Sequence, residues 1–274
     1  MKLSFSSLGC PDWSLDEIIM HASEYGYDGI AFRGLNREFD LPKCPEFSKE
    51  GRQETRHKME AAKLETSMIL ASTRVTLTDP AELEDSLRLA ESHIDLASDL
   101  HCPYVRVFGG PILSGLSHDA AVQRVAERLR RLGDYAKSRG VEVLIETHDD
   151  WTVTARLKRV MEILEHPNVG VLWDVHHPFR VVNEGIAESW KNIGKWTRSV
   201  DFKDSITDPE ARLGYRYVPI GDGEAPLGEA MSILKGVKYD GWLTFEWEKY
   251  WHPDIVEPTD AFPAFVKTVR RMIG

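Results

Sequence analysis

The sequence predicts a (β/α)8 barrel built as a single domain over residues 1–274. Short apolar runs bounded by turn residues alternate with amphipathic segments eight times along the chain, and such alternation indicates parallel strands joined by helical crossovers. The length of 274 residues also matches one barrel of eight units. A doubly wound open sheet is the alternative, but no GxGxxG follows the first strand and no Gly-rich segment carries a P-loop lysine.

The first four units are read from LSFSSLG, DGIAFRG, LETSMILAS and PYVRVFGG as strands. Ser14 is the expected N-cap of the first helix, Glu17 completes a capping box, and Gly26 ends the helix. A Pro-containing loop precedes the second helix. The second, third and fourth helices are expected over 49–63, 80–100 and 118–139.

The second half of the chain supplies strands five to eight as VEVLIETH, VGVLWDVHH, RSVDFKD and GWLTFEWE. Runs this apolar and this short are typical of strands buried on both faces. The remaining helices are expected over 153–166, 183–193, 228–235 and 259–272. The segment 207–226 is expected to be the longest irregular stretch, and loops of that length usually carry function or disorder.

Each of these four strands ends in an acid: Glu146, Asp174, Asp201 and Glu246. A carboxylate that leaves the core is costly to bury alone, so it needs a cation, a donor or water. In a barrel, catalytic groups lie at the carboxyl ends of the strands, where all four acids are expected. We therefore predict a divalent metal site, and an all-oxygen ligand set favours Mg2+ or Mn2+ over Zn2+.

Polar residues beside these acids are candidates for substrate contact. His177 follows Asp174 closely, and His148 lies two residues after Glu146, on the same strand face. Lys203 could hold a substrate oxygen, or it could form an ion pair with Asp204 or with one of the ligand acids.

Arg33 and Arg106 are weaker candidates, placed at the second strand's end and within the fourth strand. The sequence shows no phosphate-cradling Gly-rich loop and no evident arginine pair, which favours an unphosphorylated substrate.

The composition of the chain bears on which partners it can bind and on the cellular compartment we expect for it. The chain has 34 Lys and Arg against 44 Asp and Glu, a net charge of −10, which argues against a nucleic-acid partner. The 3 cysteines lack CxxC spacing and are expected to be reduced thiols. No signal-peptide core is visible and no apolar run approaches ~18 residues, so we expect a soluble cytoplasmic protein without membrane contact.

The ordered set of motifs resembles the xylose isomerase-like TIM barrel superfamily, in its sugar phosphate isomerase/epimerase branch. The opening LGCPDWSLDEIIMHASEYGYDGIAFRG is followed by IETH, WDVHH, SVDFKD, PIGDGEAPL and FEWE, so the resemblance covers essentially the whole chain. It implies that Glu146, Asp174 and Glu246 bind the metal and that His177 contacts substrate. The family's other ligand is usually the histidine of an HxKD motif, and here Asp201 takes that position, which again favours Mn2+ or Mg2+.

The resemblance also implies an isomerase or epimerase that acts on a small sugar or polyol, in a homo-oligomer. The fitting reaction removes a proton beside a carbonyl and passes through an enediolate. Glu146 and Glu246 are then expected to act as the acid/base pair from opposite faces of the reacting carbon.

Three alternatives stay open at the level of sequence. A metal-dependent dehydratase of a keto-inositol or a dehydroshikimate-like compound would share the barrel, the metal and the proton abstraction. An apurinic-site endonuclease would need a site richer in histidine and a basic groove, and the net charge of −10 counts against it. A non-enzymatic binding module would result if Asp201 had disabled the metal site.

Overall fold

The computed structural model describes residues 1–274 and shows a closed barrel of eight parallel strands. The ten strands of the chain are β1 (Lys2–Ser6), β2 (Gly29–Phe32), β3 (Glu65–Arg74), β4 (Tyr104–Phe108), β5 (Glu142–Glu146), β6 (Val169–Asp174), β7 (Thr197–Phe202), β8 (Asp204–Thr207), β9 (Tyr215–Val218) and β10 (Trp242–Phe245). All except β8 and β9 belong to the barrel, and β1 closes it by pairing with both β2 and β10. The predicted (β/α)8 fold is confirmed.

Helices follow the strands and surround the barrel. They are α1 (Leu15–Tyr25), α2 (Gly51–Ala61), α3 (Pro80–Asp99), α4 (His118–Lys137), α5 (Thr154–Leu164), α6 (His176–Val182), α7 (Ile186–Ile193), α8 (Leu227–Gly236) and α9 (Pro258–Ile273). The capping box of α1 is present, since Ser14 Oγ accepts from the Glu17 N–H and Glu17 Oε2 accepts from the Ser14 N–H at 2.7 Å. None of these helices combines the length and apolarity that crossing a membrane requires.

One predicted helix is divided in two. The sequence predicts a helix over 183–193, whereas the structure has α6 directly after β6 and then α7. Asp174 Oδ1 accepts hydrogen bonds from the N–H groups of His176 and His177, which starts α6 early. Asn183 ends α6 in the left-handed region at φ 54°, and the chain then turns into α7.

The prediction that 207–226 is irregular is wrong, because part of it is a strand. β8 and β9 form an antiparallel hairpin with Asp204 opposite Val218 and Thr207 opposite Tyr215. The carboxylate of Asp204 accepts four backbone N–H groups, those of Ser205, Gly221, Gly223 and Ala225. Because this carboxylate holds both ends of the segment, the hairpin is fixed beside the barrel mouth.

Strand alternation places the acids inside the barrel. Leu144 and Leu172 belong to a small buried cluster separate from the main core, and side chains two residues apart on a strand share a face. Glu146 and Asp174 therefore point the same way as these leucines, into the barrel. The main core lies between the strands and the helices and includes Ile145 and Trp173.

Gly109 follows β4 where the chain passes against Trp151. A Cβ at Gly109 would lie 2.0 Å from Trp151 Cδ1, and that indole is fully buried and donates to Gly110 O at 2.9 Å. We expect Gly109→Ala to lower the free energy of unfolding by about 1–3 kcal/mol, as overpacking does. Urea unfolding would measure the loss. Gly228→Ala is the control, since its Cβ would meet nothing within 4 Å, and equal stability of the two variants would contradict this account.

Candidate active site

Three of the four predicted acids converge at the carboxyl ends of the barrel strands. Glu146 ends β5, Asp174 ends β6, and Glu246 directly follows β10. One carboxylate oxygen from each lies within 4.8 Å of the others, and all three side chains are buried. Burial raises the pKa of Asp174 to about 7, against the opposing effect of Lys203. The structure therefore brings three of the predicted acids into one buried cluster.

Asp201 is not part of this group of three. On β7 it is paired with Asp174 on one side and with Thr244, two residues before Glu246, on the other. Its side chain is buried and neither carboxylate oxygen accepts a hydrogen bond. Burial, and then the charges of Glu246, Glu146 and Asp174, raise its pKa well above the usual range.

Lys203 forms the ion pairs that the sequence left as its alternative role. Its Nζ lies 2.9 Å from Asp174 Oδ2, 2.5 Å from Glu246 Oε2 and 2.7 Å from Glu248 Oε1, with the side chain 0% exposed. Burial alone would lower the pKa of Lys203, but Asp174, Glu246 and Glu248 raise it well above its usual value. Lys203 is thus a charged group whose ammonium pairs with three carboxylates.

Arg106 is the second buried cation of the cluster. Its Nε lies 3.0 Å from Glu146 Oε2, and its Nη1 donates to Ala71 O at 2.9 Å. Burial raises the pKa of Glu146, while Arg106 opposes that rise and Glu246 adds to it. Arg106 therefore orients Glu146 and offsets part of its charge.

The two predicted histidines lie at the cavity, each with a different environment. His177 Nδ1 is 3.1 Å from Thr147 O and 3.1 Å from Asp174 Oδ2, so Nδ1 carries the proton and Nε2 is an acceptor. Burial lowers the pKa of His177 well below its usual value, which keeps the ring neutral. The ring of His148 packs edge-on to it at 4.8 Å, whereas His176 is buried against Ser205 Oγ at 2.8 Å.

The cavity above the acids has a volume of about 640 Å³. Besides predicted residues, its walls include Arg74, Phe108, Glu248 and Trp251. A wider cleft of about 850 Å³, lined partly by Tyr215 and Tyr217 of the hairpin, shares His148, His177 and Trp251 with it. Glu248 lies two residues after Glu246, a spacing that places both side chains on the same face of a strand. The sequence alone could therefore have identified Glu248 as a candidate.

The residues present fit a divalent metal ion. Five acids of the site have two buried cations in ion-pair contact with them, Lys203 and Arg106. The acids are Glu146, Asp174, Asp201, Glu246 and Glu248. Both oxygens of Asp201 lack a hydrogen-bond donor, and buried carboxylates without donors are suited to a hard cation. Glu146, Asp174 and Glu246 could hold such an ion, and Asp201 lies on the neighbouring strand outside this group.

Together, the closed parallel barrel and the buried carboxylates at its strand ends define a class of barrel proteins with an acidic site suited to a cation. The family model described as "Xylose isomerase-like TIM barrel" matches residues 19–268. The chain belongs to this family.

Two curated relatives are an isomerase and an epimerase. A 2-oxo-tetronate isomerase of Pectobacterium atrosepticum is 23% identical over 61% of this chain and 63% of the relative, less than two thirds of that relative's length. A fructoselysine 3-epimerase of Shigella flexneri is 23% identical over 90% of both chains. Among solved structures, the IOLI protein with a binding zinc atom superposes with a TM-score of 0.82, with 19% identity over 100% of this chain and 98% of the other.

Asp201 provides a test of the ligand set. We expect purified protein to bind about one Mn2+ per chain and Asp201→His to shift the preference toward Zn2+, because imidazole suits zinc better than a carboxylate does. Competition between the two metals, followed by metal analysis of the desalted protein, measures the shift. Asp240→His, at an exposed position, is the control. An unchanged preference in Asp201→His would remove Asp201 from the ligand set.

Proposed function

We propose that the chain is a divalent-metal-dependent sugar isomerase or epimerase that transfers a proton at a carbon beside a carbonyl. The observation that carries the proposal is the convergence of Glu146, Asp174 and Glu246 in one buried cluster under an open cavity. Family membership and relatives that are isomerases and epimerases support the reaction class. The substrate is a small sugar or polyol.

Glu246 and Glu146 are the proposed proton carriers. Although burial raises the pKa of Glu246, Lys203 and then Arg106 lower it to about 2, so this side chain is ionised and can accept a proton. The pKa of Glu146 is shifted the opposite way, upward. Two nearby carboxyls with opposite shifts are suited to separate roles as base and acid.

Other residues of the chain orient the substrate. The Nε2 of His177 is left as an acceptor by the two oxygens at Nδ1, so it can accept a hydrogen bond from a substrate hydroxyl. His148 lies beside it on the same wall. A divalent ion held by Glu146, Asp174 and Glu246 would supply positive charge to stabilise the oxyanion of an enediolate.

A panel of ketoses incubated in D2O with Mn2+ tests this proposal by NMR. We expect deuterium to enter at the carbon beside the carbonyl, together with an isomerised or epimerised product. Loss of water from the substrate would instead identify a dehydratase, which shares the proton abstraction. Absence of both deuterium exchange and divalent-metal binding would overturn the proposal.

A further inference from the structure

The mouth of the barrel is divided into an acidic arc and a basic arc. The acids of the site come from β5, β6, β7 and β10, which are contiguous in the barrel. Three arginines of the cavity come from β2, β3 and β4, also contiguous: Arg33 directly follows β2, Arg74 ends β3, and Arg106 lies within β4. Pairing of these neighbouring strands thus places arginines that are far apart in sequence along one side of the cavity.

Arg33 is a buried cation without an acidic partner. Its side chain is 7% exposed, yet no carboxylate lies within ion-pair distance, and the one hydrogen bond of its guanidinium is from Nη1 to Ser72 Oγ at 3.0 Å. The guanidinium packs over the Phe39 ring at 4.5 Å. Burial and then the charge of Arg106 lower its pKa to about 9. A buried charge of this kind is costly unless something compensates for it.

Arg74 and Arg106 differ in the contacts that their guanidinium groups make with the protein. Arg106 already contacts Glu146 and donates to Ala71 O. Arg74 is exposed at the cavity and its guanidinium makes neither an ion pair nor a hydrogen bond with the protein. Arg33 and Arg74 are therefore the two arginines of the basic arc that form no ion pair with the protein.

We propose that Arg33 and Arg74 bind an oxyanion of the substrate, a carboxylate or a phosphate, at the wall of the cavity that β2 and β3 form. Guanidinium groups recognise both anions through paired N–H donors. The substrate class is then an anionic keto sugar, with its carbonyl at the acidic arc and its anionic group at the basic arc. The keto-sugar part of this inference rests on the proposed function, whereas the anion site does not.

Calorimetric titration of metal-free protein with inorganic phosphate and with malonate tests the anion site without any turnover. We expect at least one of the two anions to bind. Arg33→Gln and Arg74→Gln should each weaken that binding about tenfold or more, as the loss of a charge-assisted hydrogen bond does, and the anion preferred by the wild-type protein distinguishes carboxylate from phosphate. Arg124→Gln, which removes an exposed arginine of α4, should leave it unchanged.

Failure of the wild-type protein to bind either anion would overturn the proposal, and so would binding that is insensitive to both substitutions. Arg74 is exposed, so Arg74→Gln keeps the test valid even if Arg33→Gln fails to fold. Arg33→Lys keeps the charge and loses the paired donors, and we expect it to bind more weakly than the wild type.

Steady-state kinetics with D-fructose, D-fructose 6-phosphate and 5-keto-D-gluconate separates this inference from the proposed function. We expect a charged substrate to be preferred and Arg74→Gln to raise its KM while changing kcat little. Turnover of the neutral ketose alone, unaffected by Arg74→Gln, would defeat the anion site and leave the isomerase intact. Anion binding that depends on the arginines, without turnover of any ketose, would leave the anion site intact and defeat the isomerase proposal.

Discussion

Glu146→Gln and Glu246→Gln should each abolish turnover while the barrel stays folded. Glutamine has nearly the same shape, but it is a weaker metal ligand and cannot carry the proton at the reacting carbon. Loss of general acid or base catalysis alone costs about 10²–10⁴-fold in rate, and loss of a ligand adds to it. The rate of deuterium exchange at the substrate carbon, measured beside a thermal melt, would show both effects.

A matched control lies on the same strand as Glu146. Glu142 is at the other end of β5, where it pairs with Arg198 Nε at 3.0 Å. Glu142→Gln should keep full activity, because this position is remote from the acid cluster. Full activity in both Glu146→Gln and Glu246→Gln would show that these residues are not the proton carriers.

The positions of the acids could be predicted because local sequence rules decide them. Apolar runs such as Val-Leu-Ile before Glu146 indicate a buried strand, and the parallel arrangement places every strand end on one face of the barrel. Glu146 and His148 lie two residues apart, as do Glu246 and Glu248. Because side chains alternate along a strand, the sequence also predicts that the two members of each pair share a face.

What the sequence could not show depends on register and on pairing between separate strands. The carboxylates that surround Lys203 come from β6 and from the segment after β10, so its three ion pairs exist only once β6, β7 and β10 pair side by side. Arg33 and Arg74 are separated by α2 in the chain, and they line one cavity because β2 and β3 pair side by side. The hairpin of β8 and β9 escaped prediction because its strands, DSIT and YRYV, contain no continuous apolar run.

Asp201 illustrates how one substitution changes the demands on a site. Where the sequence resemblance implies a histidine, this chain has a further buried acid whose oxygens accept no hydrogen bond. The added negative charge must be offset by a cation or by a proton. Lys203, two residues later on the same side of the chain, already contacts Asp174 and Glu246 and so supplies part of that offset.

Lys203→Met should therefore destabilise the metal-free protein strongly and leave it dependent on a divalent ion. Removing the ammonium leaves Asp174, Glu246 and Glu248 without their shared partner, and breaking a buried ion pair costs about 3–5 kcal/mol. Mn2+ should restore a large part of this loss, because binding to the folded state alone stabilises it. Urea unfolding in EDTA and in excess Mn2+ measures both quantities.

Lys249→Met separates this effect from the loss of any well-bonded lysine. Lys249 Nζ donates to Pro253 O at 2.7 Å, to Ile255 O at 2.6 Å and to Glu257 Oε1 at 2.6 Å, outside the acid cluster. We expect this variant to lose stability as well, but to gain from Mn2+ no more than the wild type does. If Lys203→Met behaved in the same way, the ammonium and the metal would not act on the same carboxylates. A larger Mn2+ gain in Lys203→Met alone would mean that the lysine and the divalent ion compete for Asp174 and Glu246.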